Sequence, residues 1–491
     1  MATLPRCRHR RKGQYTRRAQ QRRRQRRQTK RRRRPRRPPP LPNALRRVCG
    51  ALLQAFAAAF RRPTYERFVV LLLAAILTTG GRTILNLLRT VGALAPGHPS
   101  SYHRVFSRRP WSVWRLGRAL AGYLLRRWLP SGTVAVAGDD TVAEHKGKQV
   151  YGKGCHRDAV RSTHCYTAFR WGHKWVVLAL LVKFPFARRP WALPVLVALY
   201  RTEEWNRAHG RRHKTPGELL RQLLAVLCHW FPDRRFLFTA DGNYASHRLA
   251  QFAHRHRRRL VMVSRFYAAA GLYAPPPPVA GKKPAGRPRV KGAKQPTPQE
   301  VVAAAKRRQL LNVAWYGGGR RDIAAVTGTG HWYQAGEGLV PVRWVFVQDR
   351  TGTHRDDYFF TTDVALTARE VVERYTGRWN IETTFQEMRS YLKVEKTRGW
   401  CERTVLRTGP CLFGLYGVIA AWYAELPARW QCQRAVARAT KADATFADAI
   451  TAVRRWLWAE WVFATPEHKQ AFAKIPRRLR DALLHGLAPA A

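Results

Sequence analysis

Carboxylates are what this chain has least of. Its 491 residues carry 29 Asp+Glu against 91 Lys+Arg, a formal net charge of +62. Such a chain repels other cations and condenses onto polyphosphate, which points to nucleic acid and away from a small neutral substrate. Long apolar runs are lacking as well. The longest, Phe68 to Leu77, lies between Arg67 and Thr78, well short of the roughly 20 residues a spanning helix needs. It reads as a buried core helix, and no membrane partner is expected. The eight cysteines include no CxxC pair and no spacing of a disulfide framework, as in a reducing compartment. Cys155-His156 and His164-Cys165 have zinc-ligand residue types, but not the spacing of a structural site. No apolar segment follows the basic N-terminus, so a secretory signal is not indicated and the cytoplasm is the expected location.

What is present divides the chain. Residues 1–37 hold 19 Lys+Arg and no acid, and prolines close the segment by residue 40. Such a block buries no core and is expected to be a disordered arm, 1–40, that clamps phosphates without reading sequence. From 41 to 130 apolar residues recur at three- and four-residue spacing over 44–61, 64–77, 83–94 and 111–129, which predicts an all-helical region, a candidate DNA-binding domain. After Pro130 the pattern turns to strands: 134–138, 163–171 and 175–184. A capping box at Thr215-Pro216-Gly217-Glu218 opens a helix to about Phe231. A strand over 236–240, a helix over 245–254 and a strand over 260–263 come next. This βββαβαβ order over 131–264 is that of a ribonuclease H-like mixed sheet lacking its last helix. Residues 265–366 begin basic and low in complexity, then become β-rich, and read as an inserted subdomain. A second capping box at Thr367-Ala368-Arg369-Glu370 opens the completing helix, predicted to run unbroken to about Lys393; this helix and the end of the core occupy 367–425. A helical region, 426–491, ends the chain.

Within this α/β frame three of the scarce acids stand out. Asp139 and Asp241 each close an apolar strand-like run, on the two neighbouring central strands of such a sheet, and Glu382 lies in the completing helix. Converging carboxylates are suited to hold two Mg²⁺ ions about 3.5–4 Å apart, the arrangement used for phosphodiester displacement. Three unrelated surface or capping acids are the alternative. Strand alternation alone does not choose between Asp139 and Asp140, because a central strand is buried on both faces. On a period of 3.6, Tyr375, Arg378, Glu382 and Arg389 fall within about 60° around the helix axis. Beside them Ile381, Phe385, Met388 and Leu392 form an apolar stripe.

The spacing Tyr375-x2-Arg378-x3-Glu382-x6-Arg389 resembles the Y-(2)-R-(3)-E-(6)-K signature of DDE transposases from bacterial insertion sequences. Asp139-Asp140-Thr141 resembles their first-aspartate motif. Further blocks are similar to those of one branch of that family: Ser101-Tyr102-His103-Arg104, Trp111-Ser112, Thr239-Ala240-Asp241, Gly286-Arg287-Pro288-Arg289, and Arg407-Thr408-x-Pro410-Cys411-Leu412. The resemblance implies a ribonuclease H-like core with a β-rich insertion before the catalytic Glu. It also implies two Mg²⁺ ions, replaceable by Mn²⁺, on Asp139, Asp241 and Glu382, with Asp139 rather than Asp140 as ligand because the family spacing is Asp-x-Thr. Tyr375, Arg378, Arg389, Arg287 and Arg289 are the implied DNA contacts, the last two as a minor-groove arm. Implied partners are double-stranded DNA, as terminal inverted repeats and as target, and a second copy of the chain on that DNA. Trp315, Trp332 and Trp344, in the insertion, are candidates to stack a flipped base. The final Lys of the signature is Arg389 here, a planar fork in place of a point charge. A ribonuclease H-like nuclease and a non-catalytic nucleic-acid-binding protein are the competing readings.

The arm yields a direct test. If about a third of its basic groups contact phosphate, deleting residues 1–37 should flatten the slope of log K against log[salt] by about five, at roughly 0.9 per contact. Preference for specific DNA ends should survive. An unchanged slope in salt titrations shows an arm that does not touch DNA.

Overall fold

The structure, a computed structural model, describes residues 38–158, 161–163, 165–278, 289–431 and 443–490; the basic arm and Arg287 lie outside them. The N-terminal region is helical as expected, with helices Asn43–Ala57, Arg62–Leu77, Ile84–Val91 and Val113–Trp128. Helix Arg62–Leu77 buries Thr64 and every residue from Phe68 to Leu77, the all-round burial of an interior helix. A fifth helix, Pro99–Ser107, lies where prolines pointed to a break. Pro99 occupies its first turn, where no N–H is needed, and the His98 ring accepts from the Ser100 N–H.

Eleven strands form one mixed sheet among the described residues. They are β1 (Val134–Glu144), β2 (Gly154–Arg157), β3 (Phe169–Val182), β4 (Trp191–Tyr200), β5 (Phe236–Ala240), β6 (Leu260–Arg265), β7 (Leu272–Tyr273), β8 (Gln309–Ala314), β9 (Arg320–Gln334), β10 (Gly338–Asp349) and β11 (Asp357–Thr361). β4, β3 and β1 are antiparallel neighbours, and β1, β5 and β6 run parallel. Helices Pro216–Trp230 and His247–Arg255 lie between the parallel strands in sequence. This is the ribonuclease H-like order, with one difference in membership. The runs predicted as two strands, 163–171 and 175–184, fall on the single strand β3 and the loop before it. The third strand is β4, hidden by Pro190 and Pro194; Pro194 pairs at a register shift beside Leu178 and Ala179, the bulge position where a sheet tolerates proline.

The insertion is a continuation of this sheet rather than a separate subdomain. β11 pairs antiparallel with β6, β10 with β11, and β9 with β10 along its whole length. Nor does the N-terminal region stand apart. Its buried residues form one continuous cluster with β3, β4 and helices Glu402–Glu425 and Phe446–Leu457. The tie is visible at Arg407, whose guanidinium donates to the carbonyls of Phe106 (3.0 Å) and Trp111 (3.1 Å) and stacks on the Trp111 ring. A smaller cluster joins Val261, Val263, Val345 and Phe359 of the sheet to Val371, Val372 and Tyr375 of helix Ala368–Gly377. Helix Glu402–Glu425 is long and apolar enough to cross a bilayer; here it is a core helix, packed on β4 and helix Phe446–Leu457.

Gly138, beside Asp139, has no room for a side chain. A Cβ there would stand 2.6 Å from the Phe238 ring and 2.9 Å from Leu220. Gly138→Val should therefore destabilise the chain by about 2–3 kcal/mol through overpacking, read from the midpoint of a urea unfolding curve. A midpoint equal to that of the parent shows that β1 and β5 yield at this point.

Candidate active site: three carboxylates around a buried arginine

Strand register brings the two aspartates together. In the parallel pair β1/β5 the last matched residues are Gly138 and Ala240, so Asp139 and Asp241 are the next residue on each chain. Glu382 comes from the first turn of helix Asn380–Leu392, which is locked against the sheet. Arg189 donates to Asn380 (2.9 Å) and Thr383 (3.1 Å), the Thr384 hydroxyl donates to the Ala192 carbonyl (2.9 Å), and Tyr416 donates to Glu387 (2.7 Å). The predicted apolar stripe of Ile381, Phe385, Met388 and Leu392 is buried.

The long helix expected over 367–393 is two helices, Ala368–Gly377 and Asn380–Leu392. The break at Arg378-Trp379 turns Arg378 into the site. Its Nη1 donates to Asp139 Oδ2 at 3.1 Å and its Nη2 to Glu382 Oε1 at 2.8 Å, and Asp241 Oδ1 lies 4.0 Å away. All three acids thus surround one buried guanidinium. Burial pushes the Asp139 carboxyl up to about 7 despite the adjacent Arg378, and burial likewise raises Glu382. Burial alone would lower Arg378, but Asp139, Tyr375 and Glu382 more than offset it and hold its pKa above the ordinary value.

Asp140 faces elsewhere. Lys174 sits 3.0 Å from its Oδ1, and the Tyr244 hydroxyl donates to its Oδ2 at 2.6 Å. The geometry groups Asp139, and not Asp140, with the other acids. Tyr375 does not face outward as a DNA contact would. It is buried against Phe359, with ring centroids 4.4 Å apart, and its hydroxyl donates to Asp241 Oδ1 at 3.4 Å. Arg378 is equally enclosed, so neither presents a phosphate contact in this conformation. Arg389 donates to Thr141, two residues beyond Asp139 on β1, and lies 3.9 Å from Glu395. Arg289 is exposed. Trp344 and Trp332 are core residues, packed against Gly328 and against Phe266 and Phe360 respectively. Trp315 is partly buried beside Tyr316 and His354. Cys155 and His156 point to opposite faces of β2, which rules them out as joint ligands.

Several residues of this region were not singled out from sequence. Trp379 is 45% exposed beside Arg378 and meets Tyr316 edge-on at 5.7 Å. Arg265, paired with Asp357 at 3.0 Å, lies close to Asp241 and is raised in pKa by Tyr375, Asp357 and Asp241 against the lowering effect of burial. Only adjacency to Arg378 marked Trp379, and nothing local marked Arg265.

The profile of one family, described as DDE superfamily endonuclease, matches residues 51–322, more than half of the chain. The chain belongs to this family. Asp139 and Asp241 fall inside the matched segment, and Glu382 lies beyond it. Among solved structures, the chain is similar to a piggyBac transposase synaptic complex with hairpin DNA, over 91% of this chain and 82% of that one. Identity is 9% and the TM-score 0.37. No curated protein sequence matches.

Removing Arg378 leaves three acids without their common counter-charge. Arg378→Ala should lower stability by about 3 kcal/mol, near the low end for a broken buried pair because Asp241 and Glu382 keep about a third of their side-chain surface in water. Arg378→Lys, with one point charge for three acids, should recover only part of it. Thermal unfolding without divalent metal reads both; equal melting temperatures for parent and Ala variant would remove Arg378 as the organising charge.

Proposed function

We propose that this endonuclease-family chain is a transposase. It binds the terminal inverted repeats of its insertion sequence, cuts the DNA there, and joins the freed 3′ ends to target DNA with the help of divalent metal. One observation carries the reading: three carboxylates from β1, the end of β5 and helix Asn380–Leu392 converge on a single buried cation in a chain otherwise poor in acids. The charge of +62 supports DNA as the partner.

The donor set fits Mg²⁺ or Mn²⁺. Asp139, Asp241 and Glu382 offer hard oxygens only, and they already balance a positive charge, that of the guanidinium. Among the described residues no three His, Cys, Asp or Glu side chains stand close enough to hold an ion in the observed arrangement, since Arg378 lies in the midst of the acids. Loading therefore requires Arg378 to withdraw. These three acids would hold two ions, which when bound lower the pKa of water and stabilise charge on the attacking and leaving oxygens.

The remaining residues do the positioning. Tyr375 holds Asp241 through its hydroxyl, while Lys174 and Tyr244 keep Asp140 turned away. Once withdrawn, the Arg378 fork would match a phosphate in two-point geometry. Arg389, beside Thr141, stands near the same strand and is suited to a terminal phosphate. Two copies of the chain, one per end, would complete the assembly.

Asp139→Ala, Asp241→Ala and Glu382→Ala should each abolish cleavage of end-bearing DNA while leaving its binding largely intact. Asp140→Asn should still cut. Chelation by EDTA should stop the parent, and Mg²⁺ should recover part of the melting temperature lost in Arg378→Ala. Gel shift, cleavage and strand-transfer assays on one fragment separate the steps. Cutting retained by any of the three Ala variants removes that residue from the site, and cutting without end joining leaves a nuclease.

A further inference from the structure

The connection between β1 and β3 carries a face that the proposed chemistry does not use. β2 pairs with the start of β3 so that Cys155 meets Trp171 and Arg157 meets Phe169. These residues alternate outward. Phe169 is 66% exposed and Trp171 59%, with Tyr166 at 66% just before the strand. The inner face is satisfied separately, with Arg170 paired to Asp158 (3.1 Å) and Glu395 (3.3 Å). Exposed aromatics in a row are therefore a property of the outer face alone, and a row of them marks an interaction site.

The face leads into a built cavity. About 360 Å³ of open space lies between the 148–153 segment, Trp171, and Trp205 with His209. The Trp205 wall is held firmly: its ring stacks on His209 at 3.8 Å and meets Tyr151 edge-on at 5.1 Å. Arg201 lies over the indole at 5.2 Å. Lys153 stands 5.6 Å from the Trp171 ring on the other side, and Lys148 shares the lining. Across 145–175 the sequence carries seven Lys+Arg and a single acid, Asp158, which is already paired.

We propose that this face binds single-stranded DNA, with one unpaired base on Trp171 at the cavity that Trp205 walls, a further base on Phe169, and phosphates on Lys148 and Lys153. Planar rings beside a positively charged groove are the means by which proteins hold unpaired strands without reading sequence. A duplex keeps its base faces stacked on one another and cannot offer them. Phe169 and Trp171, two residues apart on one strand, are about 6.6 Å apart along it, close to twice the 3.4 Å step of stacked bases, so one base fits between them. Trp171 is six residues along β3 from Val177, the partner of Asp139, or about 20 Å. The site is therefore separate from the acids. The inference rests on the proposal that the chain acts on DNA and adds the strand state it holds beside the cut.

Binding of the full chain to a labelled thymidine 12-mer and to a blunt duplex tests this. Salt of about 0.3 M suppresses the phosphate-only contribution of the basic surface. Trp171→Ala should weaken the single strand by roughly 5- to 150-fold, the range for one lost base–aromatic stack, and leave the duplex unchanged. Trp171→Phe should restore most of the loss. Equal losses on both DNAs, or none on the single strand with normal duplex binding, overturn this inference alone. A parent chain that binds neither DNA overturns it together with the transposase reading.

Discussion

The partial compensation of three acids by the single charge of Arg378 is the interaction on which the rest of this structure turns. Three acids drawn to one point repel one another, and burial adds a desolvation cost that pushes Asp139 and Glu382 upward in pKa. A guanidinium in their midst satisfies two with direct hydrogen bonds and the third by proximity. On the proposed reading, the acids would share an ion only after the arginine found another partner, and phosphate is the partner its planar fork suits best.

Around that point the sheet supplies precision. Asp139 and Asp241 are adjacent because the β1/β5 register ends at Gly138 and Ala240, and Gly138 must lack a side chain for β1 to lie that close to Phe238. Glu382 is placed by contacts outside the sheet's own hydrogen bonds: Arg189, Thr384 and Glu387 each tie its helix to β4 or to neighbouring elements.

Much of this was legible where the signal is local. Both capping boxes, at Thr215 and Thr367, form as their residues predict, because cap and partner are three residues apart. The helical spacing of the N-terminal region and the place of Asp241 at the end of β5 carried through for the same reason, whereas Asp139, read as closing its strand, lies in the middle of β1, which pairs with β3 as far as Glu144. Features that depend on distant partners were misread. β3 looked like two strands because Gly172-His173-Lys174 interrupts its apolar run, yet Gly172 is required there: a Cβ would stand 2.2 Å from the Ala143 carbonyl oxygen across the pair. Periodicity placed Arg378 on an ideal cylinder, whereas the helix breaks at that residue. Arg407 and Trp111 stood out as separate blocks, and only the fold shows them to be one contact.

The continuity of the insertion with the central sheet has a mechanical consequence. A domain joined by two linkers can pivot, but strands hydrogen-bonded edge to edge from β6 through β11, β10 and β9 have no hinge between them, and the pleated ribbon resists bending. The insertion is thus a lever of fixed bearing relative to the acids. A change in its angle to Asp139 and Asp241 would have to break ladder hydrogen bonds between β6, β11, β10 and β9.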